Sequence, residues 1–233
     1  RTSFFAVYDG HLGKEASEFA RDYLHHHLVR SSFFPDSLSE AMRDAYLATE
    51  RSLLGVAAER GWESGSTAVT VLLQGDRVVV GHAGDARAVL CRAGQAVPLT
   101  KDHSPHSPAE VERIERDGSF VKDGMVYHLL GVARSFGDFD ASLGRKIPGV
   151  SAVPTISEFV LQDSDEFLLL ACDGLWEVFS NEAAISFIRR DLQRGDASVQ
   201  AVMDRLVQQA VYRGTTDNVT ALLVSFHLRD HFS

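Results

Sequence analysis

The sequence predicts an α+β fold in which helices flank strands that are joined by tight hairpins. Three observations indicate this class: β-rich segments follow one another closely in mid-chain, helical segments lie on either side, and the two kinds do not alternate regularly. Regular alternation would instead indicate a doubly wound parallel sheet. With 233 residues, 45% of them apolar, the chain can bury a sizeable core.

The first third of the chain predicts one strand and two helices. The apolar run from Phe4 to Tyr8 ends at Asp9-Gly10, which is typical of a strand followed by a turn. The segment from Lys14 to Val29 has apolar residues at helical spacing. A second helix is predicted from Ser39 to about Glu59, with Ser39 supplying half of a capping signal.

The middle of the chain predicts three strands, at Thr67 to Leu73, Arg77 to Ala83 and Ala86 to Cys91. Short turn sequences separate them, Gln74-Gly75-Asp76 and Gly84-Asp85. Turns at such close spacing predict an antiparallel meander of all three strands.

The last part mixes both kinds of element. Pro108 to Asp117 predicts a short helix, because proline suits a first helical turn. Two further helices are predicted between the last two strands. The remaining predicted strands are Glu158 to Leu161, Glu166 to Ala171 and Asn218 to Phe226, and the helices are Glu182 to Leu192 and Val199 to Tyr212.

Composition argues against two kinds of partner. Lys plus Arg is 23 and Asp plus Glu is 32, so the formal charge is −9, which argues against nucleic-acid binding. No apolar stretch approaches 18 residues, so no membrane partner is expected.

Cys91 and Cys172 each lie in an apolar run, which predicts buried thiols and an intracellular protein, cytoplasmic or nuclear.

Four acidic residues stand at the ends of apolar runs. Asp9, Asp85 and Asp173 each follow one, and Asp217 precedes one. A carboxylate beside a buried strand loses hydration unless a positive charge compensates, and oxygen ligands of this kind suit Mg²⁺ or Mn²⁺. The alternative is that each Asp-Gly or Gly-Asp pair is only a turn, and spacing alone does not show that the acids converge.

Seven short segments stand in a fixed order along the chain. They are Val7-Tyr8-Asp9-Gly10-His11, Gly65-Ser66-Thr67-Ala68, Gly84-Asp85-Ala86-Arg87, Thr100-Lys101-Asp102-His103, Ala133-Arg134-Ser135-Phe136-Gly137-Asp138, Ala171-Cys172-Asp173-Gly174-Leu175-Trp176-Glu177 and Thr216-Asp217-Asn218-Val219-Thr220. Together they resemble the motifs of the type 2C (metal-dependent, PPM-type) serine/threonine protein phosphatase family, over essentially the whole chain.

The resemblance implies a four-layer αββα sandwich, two packed antiparallel sheets flanked by helices, with residues 1–233 forming a single phosphatase-type catalytic domain. It also implies hydrolysis of phosphoserine and phosphothreonine in proteins, by a water or hydroxide that bridges metal ions. Two or three Mg²⁺ or Mn²⁺ ions would be bound. The implied partner is a phosphorylated protein substrate, and we expect a monomer.

The same resemblance assigns roles to individual residues. His11 would be the general acid that protonates the leaving oxygen, acting with Asp9 as the catalytic pair. Asp138 would support the site rather than bind metal. The implied metal ligands are Asp9, the carbonyl of Gly10, Asp85, Asp173 and Asp217, with Asp85 and Asp173 serving a third ion.

Two residues in or next to the motifs depart from the family pattern. Leu12 stands where the family usually has glycine, and a left-handed backbone there would resist a leucine. Glu177 stands where the family commonly has aspartate, so the resemblance does not establish the outer metal site.

The beginning of the chain also departs from the pattern. Family members carry, before the first motif, an arginine that binds substrate phosphate and an acid that orders a metal-bound water, and nothing before Phe4 supplies both. We therefore expect weak or absent turnover by the 233-residue chain, with metal binding retained. A pseudophosphatase acting as a regulatory or protein-binding domain is the alternative, and the intact residues that oppose it are Asp9, His11, Asp173 and Asp217. No Cys-x₅-Arg loop or Gly-Asn-His-Asp signature favours another class of phosphohydrolase.

Overall fold

In the computed structural model, which describes residues 2–195 and 198–226, two antiparallel sheets lie face to face. The described strands are β1 (Thr2–His11), β2 (Gly65–Gln74), β3 (Arg77–Ala83), β4 (Arg87–Arg92), β5 (Gln95–Pro98), β6 (Val121–Lys122), β7 (Met125–Val126), β8 (Phe136–Gly137), β9 (Phe139–Asp140), β10 (Arg145–Lys146), β11 (Thr155–Val160), β12 (Asp165–Ala171) and β13 (Ala221–Ser225). The described helices are α1 (Glu15–Arg30), α2 (Leu38–Arg60), α3 (Pro108–Arg116), α4 (Asp173–Trp176), α5 (Asn181–Gln193) and α6 (Val199–Tyr212).

Helices cover the outer face of each sheet. The first sheet has the order β1-β2-β3-β11, with β8 also paired to β2, and packs its outer face on α1 and α2. The second has the order β13-β12-β4-β5 and packs on α5 and α6. Alternation along β12 shows the layering, because Leu168 and Leu170 face the first sheet while Phe167 and Leu169 face the helices. The predicted four-layer αββα sandwich is confirmed.

The predicted three-strand meander is wrong. β2 and β3 form a hairpin, but β4 crosses to the second sheet and lies between β12 and β5. In the second sheet β4 buries both of its faces, since Leu90 packs between the sheets and Val89 packs toward the helices. Gly84, with a φ of 109°, supports the turn that lets the chain cross, and a Cβ there would press against Thr67.

The other predicted elements are confirmed to within a few residues. The exceptions are the last strand, which is limited to Ala221–Ser225, and the cap of α2, which is Ser37 rather than Ser39. The elements that were not predicted are β5, α4 and the two-residue strands, which are too short to show a periodic pattern.

The structure also describes both cysteines. Cys91 and Cys172 are both buried free thiols, as predicted. Within residues 2–195 and 198–226, no helix combines the length and apolar character needed to cross a bilayer.

Candidate metal centre

Distant parts of the chain meet at one cleft of about 450 Å³. β1 ends at this cleft, the crossover between β3 and β4 borders it, and α4 begins in it directly after β12. Every residue that the sequence analysis predicted for the site lines it: Asp9, Gly10, His11, Asp85, Asp173 and Asp217. The structure therefore brings together acids that are separated by more than 200 positions.

Asp173 lies at the centre of the acidic group. Its carboxylate belongs to two sets of potential ligands whose atoms lie within 4.8 Å of one another: Asp9 and Cys172 form one set with it, and Glu177 and Asp217 form the other. Asp85 lines the same cleft outside these two sets. One side chain thus joins two adjacent places at which a cation could bind.

Close backbone packing holds two of the acids together. A Cβ on Gly174 would collide with the carbonyl oxygen of Asn218, so only glycine allows the start of α4 to approach the loop that carries Asp217. The buried Cys172 thiol adds two contacts, donating to the Asn218 carbonyl at 3.2 Å and accepting from the Thr220 N–H at 3.1 Å. Cys172 therefore fixes the loop beside the acids.

Burial and the negative charges of neighbouring acids raise the pKa values of Asp9 and Asp85. Burial, a hydrogen bond with Asp173 and the negative charges of Asp173, Asp217 and Asp85 raise the pKa of Asp9 to about 7. Burial, followed by the charge of Asp173, raises the pKa of Asp85 to about 6. A bound cation would reverse this repulsion, because opposite charge favours the ionised carboxylate.

The donors fit a hard divalent cation. Asp173 Oδ1 is buried without a hydrogen-bond partner among the described residues, as expected of an oxygen whose partner is an ion. The carboxylate oxygens gathered around it are the ligands that Mg²⁺ and Mn²⁺ prefer.

His11 is held by a buried carboxylate on one side of the cleft. Its Nε2 lies 2.6 Å from Asp138 Oδ1, and Asp138, completely buried, also accepts from the Ser135 hydroxyl. Burial lowers the pKa of His11, but the hydrogen bond and charge of Asp138, together with the charge of Asp9, outweigh it, so the pKa is raised. His11 is consequently suited to carry a proton near neutral pH.

A buried ion pair supports the turn that carries Asp138. Gly137 and Asp138 both have left-handed φ angles, 74° and 55°. Glu50 accepts the Gly137 N–H at 2.9 Å, and Lys146 Nζ donates to the Gly137 carbonyl at 2.6 Å while lying 2.8 Å from Glu50 Oε1. Both backbone groups of Gly137 are thereby fixed, which orients the neighbouring Asp138.

Leu12 adopts the backbone conformation that the sequence analysis expected a leucine to resist. Its φ is 55°, its side chain is 72% exposed, and Gly13 beside it has a φ of 130°. The turn after His11 therefore keeps a left-handed geometry with leucine in place, at a cost of about 1 kcal/mol relative to glycine.

Known proteins resemble this chain in sequence and in fold. A family model described as Protein phosphatase 2C matches residues 1–219. The chain belongs to the protein phosphatase 2C family.

Curated members of the family are similar over almost all of this chain. Probable protein phosphatase 2C 54 of Oryza sativa subsp. japonica is 40% identical over 231 residues, covering 97% of this chain and 62% of the relative. Probable protein phosphatase 2C 22 of Arabidopsis thaliana is 39% identical over 230 residues, covering 96% and 58%. The chain thus spans about three fifths of the length of these relatives.

Solved structures share the fold. A serine-threonine phosphatase 2C from Toxoplasma gondii matches with a TM-score of 0.84 and 26% identity, covering 97% of this chain and 85% of that one. A C. elegans sex determining protein matches with a TM-score of 0.85 and 26% identity, covering 98% and 57%.

This phosphatase 2C chain also has cleft residues that the sequence analysis missed. Glu177, noted only as a departure from the family pattern, lies in one ligand set with Asp173 and Asp217, and its i, i+4 spacing from Asp173 was an available signal. The wall formed by residues 129–132 carries no periodic pattern that could have predicted it. Thr67, which was not predicted for the site, lines the cleft opposite Asp9, and its buried Oγ1 has no partner among the described residues.

Proposed function

We propose that this chain forms one catalytic domain of a metal-dependent serine/threonine protein phosphatase. The domain releases phosphate from phosphoserine and phosphothreonine in proteins, using Mg²⁺ or Mn²⁺. The observation that carries the proposal is the position of Asp173. Its carboxylate is shared by two sets of potential ligands, one with Asp9 and Cys172 and one with Glu177 and Asp217, and it has a buried oxygen without a described partner. Bound cations supply Lewis-acid activation of water and neutralise charge on the phosphoryl oxygens.

The metal ligands proposed are those that the family resemblance implies. Asp9, the Gly10 carbonyl, Asp173 and Asp217 hold the principal ions, and Asp85 joins Asp173 in holding a third. Their presence in one cleft supports this assignment, as do the raised pKa values of Asp9 and Asp85. Cations are required before phosphate can enter, because the acidic cleft of a chain with charge −9 repels an anion.

His11 provides the proton of the proposed reaction. Its side chain is 27% exposed at the cleft, so it can reach a substrate, while Asp138 behind it is fully buried. His11 donates its proton to the serine or threonine oxygen as that oxygen leaves phosphorus. Asp138 keeps the ring oriented and favours its protonated form.

The test is metal-dependent phosphate release from a phosphothreonine peptide by the purified full-length protein. We expect turnover that requires Mn²⁺ or Mg²⁺ and falls by at least ~100-fold in Asp173→Asn, because that change removes one charge from both ligand sets. Asp163→Asn is the matched control, since Asp163 is exposed and lies outside the cleft. Equal turnover by Asp173→Asn and the control would contradict the proposal. Metal binding without turnover would favour a regulatory domain.

A further inference from the structure

The cleft that holds the acids has two large apolar side chains at its rim. Leu12 and Leu129 both line it, and they are 72% and 51% exposed. Single exposed leucines are common on protein surfaces and indicate nothing by themselves. These two, which we term the apolar rim, line the same cleft as the acids.

The fold gains little from Leu12. Its exposed side chain buries little apolar surface, and its φ of 55° is a conformation that glycine adopts without strain. A leucine at this position therefore costs stability without a compensating contact in the folded chain. A strained residue at a candidate active site points to a role in function.

Leu129 is presented to the cleft by a tightly constrained turn. Tyr127 and His128 before it both have left-handed φ angles, 52° and 61°, and the Leu129 N–H donates to the Val126 carbonyl at 2.9 Å. The rings of Tyr127 and His128 pack on Phe120, with centroids 5.5 and 4.9 Å away. The turn is thus anchored away from the cleft, and Leu129 is left exposed at the cleft.

We propose that the apolar rim contacts a residue adjacent to the phosphorylated one, and that the domain prefers phosphoserine or phosphothreonine sites flanked by a large apolar residue. This inference rests on the proposed function. The Cα atoms of the phosphorylated residue and its neighbour are only ~3.8 Å apart, and both rim leucines line the cleft that would receive the phosphate, so a flanking side chain can meet them. The negative cleft disfavours an acidic neighbour, whereas an apolar neighbour buries surface against Leu12 and Leu129.

The experiment compares kcat/KM for phosphothreonine peptides that differ only in the two residues flanking the phosphothreonine, which are leucine, alanine or aspartate. With Mn²⁺ and the full-length protein, we expect the leucine peptide to exceed the alanine peptide by about fivefold to tenfold, with the aspartate peptide lowest. Leu12→Asn and Leu129→Asn should each bring the leucine-to-alanine ratio toward one. Asparagine suits position 12 because it tolerates a left-handed backbone.

Leu143→Asn is the matched control, because Leu143 is an exposed leucine outside the cleft, and it should keep the wild-type ratio. p-Nitrophenyl phosphate, which has no flanking residue, separates the two proposals. Its hydrolysis together with equal kcat/KM for all three peptides would overturn the apolar rim and leave the phosphatase function standing. Absence of metal-dependent hydrolysis of every substrate would overturn both.

Discussion

Replacing Asp173 by asparagine should stabilise the metal-free protein while removing its stabilisation by metal. The raised pKa of Asp9, from 3.8 to about 7, corresponds to roughly 4 kcal/mol of unfavourable interaction when Asp9 is ionised. Burial is the largest cause and remains after the substitution, and solvent screens the charges of this partly exposed side chain. We therefore expect Asp173→Asn to raise the free energy of unfolding by about 1–2 kcal/mol, or about 2–8 °C in Tm.

The stability that the metal-free protein gains from Asp173→Asn should depend on pH. Because folding raises the pKa of Asp9, the folded state holds a proton that the unfolded state has lost, and the metal-free protein loses stability as pH rises from about 4 to about 7. The benefit of Asp173→Asn should accordingly be small at pH 4 and full above pH 7.

The assay is thermal or urea unfolding at pH 7.5, in EDTA and in Mn²⁺, with Asp163→Asn as the control. Wild type and control should gain stability on adding Mn²⁺, while Asp173→Asn should gain little. A destabilised Asp173→Asn in EDTA, or a Mn²⁺ gain equal to that of wild type, would refute the reasoning.

Three further predictions concern the surroundings of the cleft. Leu12→Gly should raise the free energy of unfolding by about 1 kcal/mol by relieving the left-handed backbone, and an unchanged urea midpoint would argue against that strain. Glu50→Leu should lower the free energy of unfolding by about 3 kcal/mol, because Lys146 loses its buried partner. Glu50→Gln should lower it less, since its amide oxygen still accepts the Gly137 N–H, and equal losses would contradict this account. Burial, followed by the charge of His82, lowers the pKa of His103 to about 3, so its imidazole should stay neutral in an NMR titration down to about pH 3. The free energy of unfolding should fall below pH 6.5, because the unfolded state takes up the proton first. Protonation of His103 in the folded protein above pH 6 would refute this.

The positions of the site residues could be predicted from the sequence to a useful degree. An acid at the end of an apolar run, as at Asp9 and Asp173, indicates a carboxylate beside a buried strand whatever the topology. Convergence could not be read from spacing, because it depends on β4 leaving the first sheet and on Gly174 allowing the Asn218 loop to approach. The resemblance supplied that step.

The rest of the site depends on tertiary contacts that no local pattern records. Glu50 lies 88 residues from Asp138 along the chain, and its role is visible only from its contacts with Gly137 and Lys146. The segment that presents Leu129 is formed by irregular turns, for which periodicity predicts nothing.

Crystals grown with Mn²⁺ and measured near the manganese absorption edge would test the central claim most directly. The account predicts anomalous density in the cleft, at coordination distance from the carboxylates of Asp9, Asp173 and Asp217. Clear density for those side chains with no anomalous peak among them, at saturating Mn²⁺, would contradict it.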